Sequence, residues 1–221
     1  MPDTAAADTA TINGKVVFDN GAPKMKRIKM DADPYCADSH FDEPARSQEV
    51  VVNDNGTLKN VFVYIKGGLE GKSYTPPAEA VELHQEGCIY KPRVFGMMAK
   101  QKLVIHNDDD TLHNVHALPK NSKEFNIGQP NQGMKTTRTF ATPEIMVKFK
   151  CDVHPWMAAY VGVLDHPFHS VSSDEGAFEI ANLPAGDYEL AAWHEKLGEQ
   201  TQKITVADGG TASVEFTFKA E

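Results

Sequence analysis

The sequence predicts an all-β protein built from one β-sandwich and a second, smaller β-sandwich. Three observations carry that prediction. Short alternating or apolar runs recur along the 221 residues. Turn-forming clusters of Gly, Pro, Asn and Asp separate them, and no window of about twelve residues keeps a helical period.

In chain order, the first run is Ile12-Asn13-Gly14-Lys15-Val16-Val17-Phe18. Glu49 to Val52 and Leu58 to Ile65 follow, with the turn Asp54-Asn55-Gly56 between them and Lys66-Gly67-Gly68 after them. The middle of the chain adds Gln101 to His106, Arg138-Thr139-Phe140, Glu144 to Cys151 and Tyr160 to Leu164. The C-terminal part adds Ala177 to Ile180, Tyr188 to Trp193, Gln202 to Val206 and Ala212 to Phe218. Leu183-Pro184-Ala185-Gly186-Asp187 and Asp208-Gly209-Gly210 punctuate these last strands. Many short, turn-bounded strands build sandwiches or barrels.

Composition narrows the function classes. The chain is 41% hydrophobic and 24% charged, ordinary globular values that argue against wholesale disorder. Its net charge of −9 argues against a nucleic-acid binder, which needs a cationic footprint. No apolar run approaches the ~20 residues of a membrane-spanning helix. Glu79 to Asp165 holds ten basic and ten acidic residues, so the whole charge imbalance sits in the flanks. That predicts a central domain at 79–165, with 11–78 and 166–221 forming a flanking sandwich from paired N- and C-terminal pieces. The opening MPDTAAADTATING has neither a basic start nor an apolar core, so it is not an intact secretory signal. Its small and acidic residues suit the start of a mature exported chain, which predicts a periplasmic or extracytoplasmic protein. A cytoplasmic chain is the other reading.

The chemistry concentrates in Cys151-Asp152-Val153-His154-Pro155-Trp156-Met157 and, upstream, Thr111-Leu112-His113-Asn114-Val115-His116. A thiolate, two imidazoles and a weak thioether are the donor set of a blue-copper centre: sulfur stabilises Cu(I), and imidazole serves both valences. Alternation along Ile145 to Cys151 places Ile145, Val147, Phe149 and Cys151 on one face and Met146, Lys148 and Lys150 on the other. Cys151 thus ends a strand pointing inward, and a turn through Pro155 can return His154 and Met157 to it. A structural zinc site would call for more Cys or His and no Met. A Cys–His nucleophile pair is disfavoured by the tight turn that separates the two residues. Taken singly, a buried Cys or Met is ordinary core.

These two motifs resemble those of the cupredoxins, above all amicyanin and plastocyanin, over roughly residues 80 to 165. The resemblance implies a Greek-key β-sandwich with one type 1 copper held by His113, Cys151 and His154 in a plane and Met157 as the axial ligand. It implies that Asn114 ties the two ligand loops together and gives a backbone N–H to the thiolate. Val153 stands where those relatives carry proline, and its N–H is expected to supply a second hydrogen bond to the sulfur. His116 is read as a half-exposed histidine, with a ligand role in place of His113 as the alternative.

With Cys151 so assigned, Cys36 and Cys88 remain as a disulfide pair, which suits an oxidising compartment. Two free thiols, or a metal role for Cys36 with His40, are the alternatives. Gly176 to Tyr188, with its Leu-Pro-Ala-Gly turn, resembles the carboxypeptidase-regulatory or transthyretin-like sandwich, which implies a scaffold or docking role. A second metal site using His166, His169 or His194 is weighed against plain packing, and Asp108-Asp109-Asp110 reads as a solvated loop rather than a calcium site.

Together these readings predict a non-enzymatic electron carrier. It would exchange electrons with redox proteins of cytochrome, dehydrogenase or oxidase type through the exposed edge of His154, with Pro155 and Trp156 as an apolar docking patch. A copper-handling module is the alternative, and a domain of a copper oxidase or nitrite reductase is a third reading.

Overall fold

The described residues form sixteen short strands and one short helix. A computed structural model describes residues 9–19 and 21–219; the N-terminal reading above falls largely on residues 1–8, outside them. The first elements are β1 (Ala10–Phe18), the six-residue helix α1 (Pro34–Ser39) and β2 (Phe62–Gly67). Next come β3 (Val81–Gln85), β4 (Tyr90–Lys91), β5 (Val94–Met98), β6 (Leu103–Asn107), β7 (His113–Leu118) and β8 (Phe125–Gln129). They are followed by β9 (Lys135–Arg138), β10 (Glu144–Lys150) and β11 (Ala158–Leu164). The chain ends with β12 (His169–Val171), β13 (Ala177–Leu183), β14 (Gly186–His194), β15 (Gly198–Val206) and β16 (Thr211–Phe218). The fold is all-β, as the sequence predicts.

The chain forms two units. One comprises Met1–Lys24, Glu49–Lys72 and Phe168–Glu221, the other Met25–Gln48 and Ser73–Pro167. The first holds two sheets, ordered β13-β1-β16 and β12-β2-β14-β15. Strand β1 pairs antiparallel with β13 and parallel with β16, so the N-terminal strand is locked between C-terminal ones. The expected strand at Glu49 to Val52 reduces to a single bridge between Val52 and Leu58. The β14–β15 hairpin turns in three residues and closes on Gly198 at φ +78°, a backbone region that favours glycine.

The second unit also holds two sheets, ordered β5-β11-β10-β7-β8 and β4-β3-β6-β9. Its core gathers Leu83, Tyr90, Leu103, Ile105, Val115 and Phe149 with Cys151 and Met157. Alternation works along most of β10: Val147 and Phe149 are buried and Lys148 is exposed. It fails at the start. A bulge between Glu144 and Val147, with Met146 at φ +60°, turns Ile145 outward to 37% exposure. Ile145 therefore does not share the inward face with Cys151.

Helix α1 begins as a helix should. Asp33 caps it by accepting from the Cys36 N–H at 3.2 Å, and Pro34 occupies the first turn. Cys36 and Cys88 form a disulfide within this unit.

Candidate metal centre

Two adjacent strands bring the donors together. β10 pairs antiparallel with β7, Lys150 facing His116, so the residues just past β10 meet the start of β7. His113 opens β7 and Cys151 follows β10. The loop from Cys151 then folds back on itself: Met157 N–H donates to the His154 carbonyl at 2.9 Å, and Cys151 N–H to the Met157 carbonyl at 3.3 Å.

His113, Cys151 and His154 each offer a donor atom, all within 4.8 Å of one another. The three residues are almost fully buried, at 0%, 2% and 2% exposure. The Nδ1 atoms of His113 and His154 lie 2.9 Å apart, and Sγ of Cys151 is 3.9 Å from His154 Nδ1. Each imidazole gives its other nitrogen to a carboxylate. Asp109 accepts from His113 Nε2 at 2.8 Å, and Asp33 accepts from His154 Nε2 at 3.1 Å. A carboxylate on Nε2 fixes the proton there and turns the Nδ1 lone pair inward. Two such nitrogens at this distance need a proton or a cation between them.

The carboxylates are themselves held. Asp109, 2% exposed, accepts the N–H groups of Gly87 and Cys88 at 2.8 and 2.7 Å. Asp33 accepts from the Thr111 hydroxyl at 2.9 Å as well as from the Cys36 N–H. Asn107, at the end of β6, accepts the Asp109 N–H at 3.1 Å and donates to the carbonyls of Thr111 and Gln129. This network fixes the connection that carries both Asp109 and His113. Burial works against the His113 cation, but Asp109 and Cys151 outweigh it and raise its pKa. Burial also works against the Asp109 anion, yet His113 and the two backbone donors outweigh it and lower that pKa.

The sulfur sits in a field that favours its anion. Burial alone pushes the thiol up. The His113 and His154 side chains and the backbone N–H groups of Asn114 and His154 outweigh burial and bring the Cys151 pKa down to about 6. The N–H of His154 lies 3.3 Å from Sγ. The hydrogen bond expected from Val153 thus comes from the next residue, while the Val153 side chain lies at the surface, 46% exposed.

Asn114 joins the two loops through its side chain. Its Oδ1 accepts the Asp152 N–H at 2.8 Å and lies 3.2 Å from Cys151 Sγ. Its Nδ2 donates to Asn126 and Asp152. Met157, 1% exposed, packs in the same core as Cys151.

Other expectations change. The edge of His154 is covered, not exposed: Asp33 lies on its Nε2, Cys36 Sγ is 3.7 Å from that nitrogen, and the Trp156 ring is 5.1 Å away. Trp156 is half-buried, with its indole N–H donated to the Cys88 carbonyl at 3.0 Å. Pro155 is exposed, and Leu112 beside His113 is 44% exposed. Asp109 is buried at the centre, so the three-aspartate run is not a purely solvated loop.

His116 sits between Asp152 and Glu124, at 3.1 and 2.7 Å. His169 stacks on Phe62, and His194 accepts the N–H groups of Lys196 and Leu197. His116, His166, His169 and His194 join no group of metal donors among the described residues. The sequence reading missed Asp33 and Asp109. Asp33-Pro34 carried a helix-start signal, and nothing local tied either aspartate to a histidine.

Comparison with known proteins gives partial matches. Residues 168–214 match the family model described as polysaccharide lyase family 4, domain II. No curated protein matches the chain. Among solved structures it is similar to a copper-containing nitrite reductase from Thermus scotoductus SA-01, at 17% identity and a TM-score of 0.37, covering 46% of this chain and 25% of that one. The chain therefore spans about a quarter of the nitrite reductase's length. It is also similar to a purple cupredoxin from Nitrosopumilus maritimus, at 22% identity and a TM-score of 0.33, over 38% of this chain and 98% of that one. A mutant of amicyanin in its Cu(I) form is similar at 17% identity and a TM-score of 0.34, over 46% and 97%. No helix among the described residues is long and apolar enough to cross a membrane.

Proposed function

We propose that His113, Cys151 and His154, with Met157, hold one type 1 copper, and that the protein carries electrons between redox partner proteins. The observation that supports this best is the convergence of two lone-pair-bearing Nδ1 atoms and a thiol of lowered pKa in one buried pocket. Imidazole and thiolate are the donors that both valences of copper accept.

Bound copper would supply a one-electron couple, Cu(I)/Cu(II). The protein residues do the rest. Asp109 and Asp33 hold the rings, so the donors keep one arrangement in both valences and little reorganises. The N–H groups of His154 and Asn114 draw density from the sulfur, which favours the lower valence. Burial of all three side chains shields them from water, which favours a carrier over a catalyst. In this reading residues 79–165 form the copper domain, and residues 25–48 add the Asp33 support. Residues 11–24 and 49–72, with 168–221, form the flanking sandwich. The disulfide favours a periplasmic or extracytoplasmic setting. Partner proteins would dock near the exposed Leu112, Val153 and Pro155 rather than on His154 itself.

Copper-loaded protein should show an intense visible sulfur-to-copper band, lost in Cys151→Ser, together with reversible one-electron voltammetry. A colourless protein that holds only zinc would end this reading. Copper that passes readily to a chelator without a reversible couple would favour the handling module instead.

A further inference from the structure

A second cluster of donors lies on the other sheet of the same unit. Strands β3 and β6 run parallel with His84 opposite His106. The two rings stack with centroids 4.3 Å apart and planes 19° apart. Glu82, two residues before His84, projects to the same face of β3. Its Oε2 is 3.3 Å from His84 Nε2, and its Oε1 is 3.8 Å from His106 Nε2. Glu82, His84 and His106 each offer a donor atom, all within 4.8 Å of one another.

His106 makes this more than a surface ion pair. It is 6% exposed, and its Nε2 has no hydrogen-bond partner. The Glu82 oxygen at 3.8 Å is too far for one. A buried ring nitrogen without a partner is unusual and calls for a ligand. Burial and the neighbouring His84 and Lys135 charges hold the His106 pKa below the usual histidine value, so the neutral ring is available. Asp108 completes the arrangement by accepting from His84 Nδ1 at 2.6 Å, the carboxylate–imidazole support common behind metal ligands. Consecutive aspartates thus serve two clusters: Asp108 orients His84, and Asp109 orients His113.

We propose that Glu82, His84 and His106 form a second metal site for one divalent transition ion of the zinc or copper(II) kind. Two imidazoles and a carboxylate suit such an ion, and no thiolate is present to favour Cu(I). The site opens to solvent on the Glu82 side, where the side chain is 57% exposed, so water completes the coordination. Lys135 on β9 stands opposite His106 and offsets part of the carboxylate charge. The site does not depend on the copper assignment.

Equilibrium dialysis of the full chain against zinc tests it. His84→Gln and Glu82→Gln alter exposed or half-exposed groups, and unchanged circular dichroism in chelator checks that each variant folds. Each should bind one zinc fewer per chain than the wild type, and Cys151→Ser should leave that difference intact. Zinc-soaked crystals should give an anomalous peak between His84 and His106. Equal zinc binding by wild type and both variants, or a peak only at Cys151, would overturn the proposal.

Discussion

The two imidazoles of the centre are held by the same chemistry from very different stretches of chain. Asp109 stands four residues before His113, is buried, and takes two backbone N–H groups besides the ring. Asp33 stands 121 residues before His154, has a side chain 19% exposed, and rests on the first turn of α1 and on Thr111. The near support belongs to the connection between β6 and β7. The far support reaches the site only through tertiary folding, in a segment clipped by the Cys36–Cys88 disulfide. The orientation of His113 is thus a property of the sandwich, and that of His154 is a property of an added segment that can be altered with less damage.

The largest effect should come from removing the clip. The disulfide closes a separation of 52 residues, and Cys36→Ala with Cys88→Ala should lower stability by about 4 kcal/mol in the chain-entropy picture. Urea unfolding of the metal-free protein measures it, and an unchanged midpoint would mean that residues 25–48 are held by other contacts alone.

Asp109→Ala comes next, at about 3 kcal/mol, because His113 Nε2–H and the N–H groups of Gly87 and Cys88 lose their acceptor in a buried setting. Asp33→Ala should remove about 1 kcal/mol, the usual worth of a helix cap. It should still weaken metal binding roughly 10- to 100-fold, since the carboxylate also orients His154. If calorimetry found Asp33→Ala the more destabilising of the two, the ranking of near and far supports would be reversed.

The smallest effect is a titration. In metal-free protein the Cys151 thiolate absorbance should appear with a midpoint at about 6, below the ~8.5 of a free thiol. Because folding favours the anion, its stabilisation is complete above ~8.5 and is lost as pH falls through about 6. The wild type should therefore weaken across that window relative to Cys151→Ser. A midpoint at or above 8.5 would remove the lowered pKa from the account.

The strands, and the grouping of Cys151 with His154, were legible because both are local. Val147 and Phe149 alternate inward toward Cys151, and His154 follows within the same short loop. Residues that depend on bulges or distant pairing were not. Nothing in Glu144 to Val147 signals that Met146 turns to positive φ and flips Ile145 outward. The covering of His154 was illegible for a similar reason: Asp33 caps α1, and its second role needs a contact across 121 residues. Asp109 looked solvated because charged runs usually are, and only the convergence of two backbone donors and a histidine makes its burial affordable.

In the proposed function, one metal ion is shared by side chains from two loops. X-ray absorption of copper-loaded protein tests it most directly. The account predicts one copper per chain with a single short sulfur bond and two imidazole nitrogens, the sulfur contribution vanishing in Cys151→Ser. A copper environment of nitrogen and oxygen alone in the wild type would contradict it.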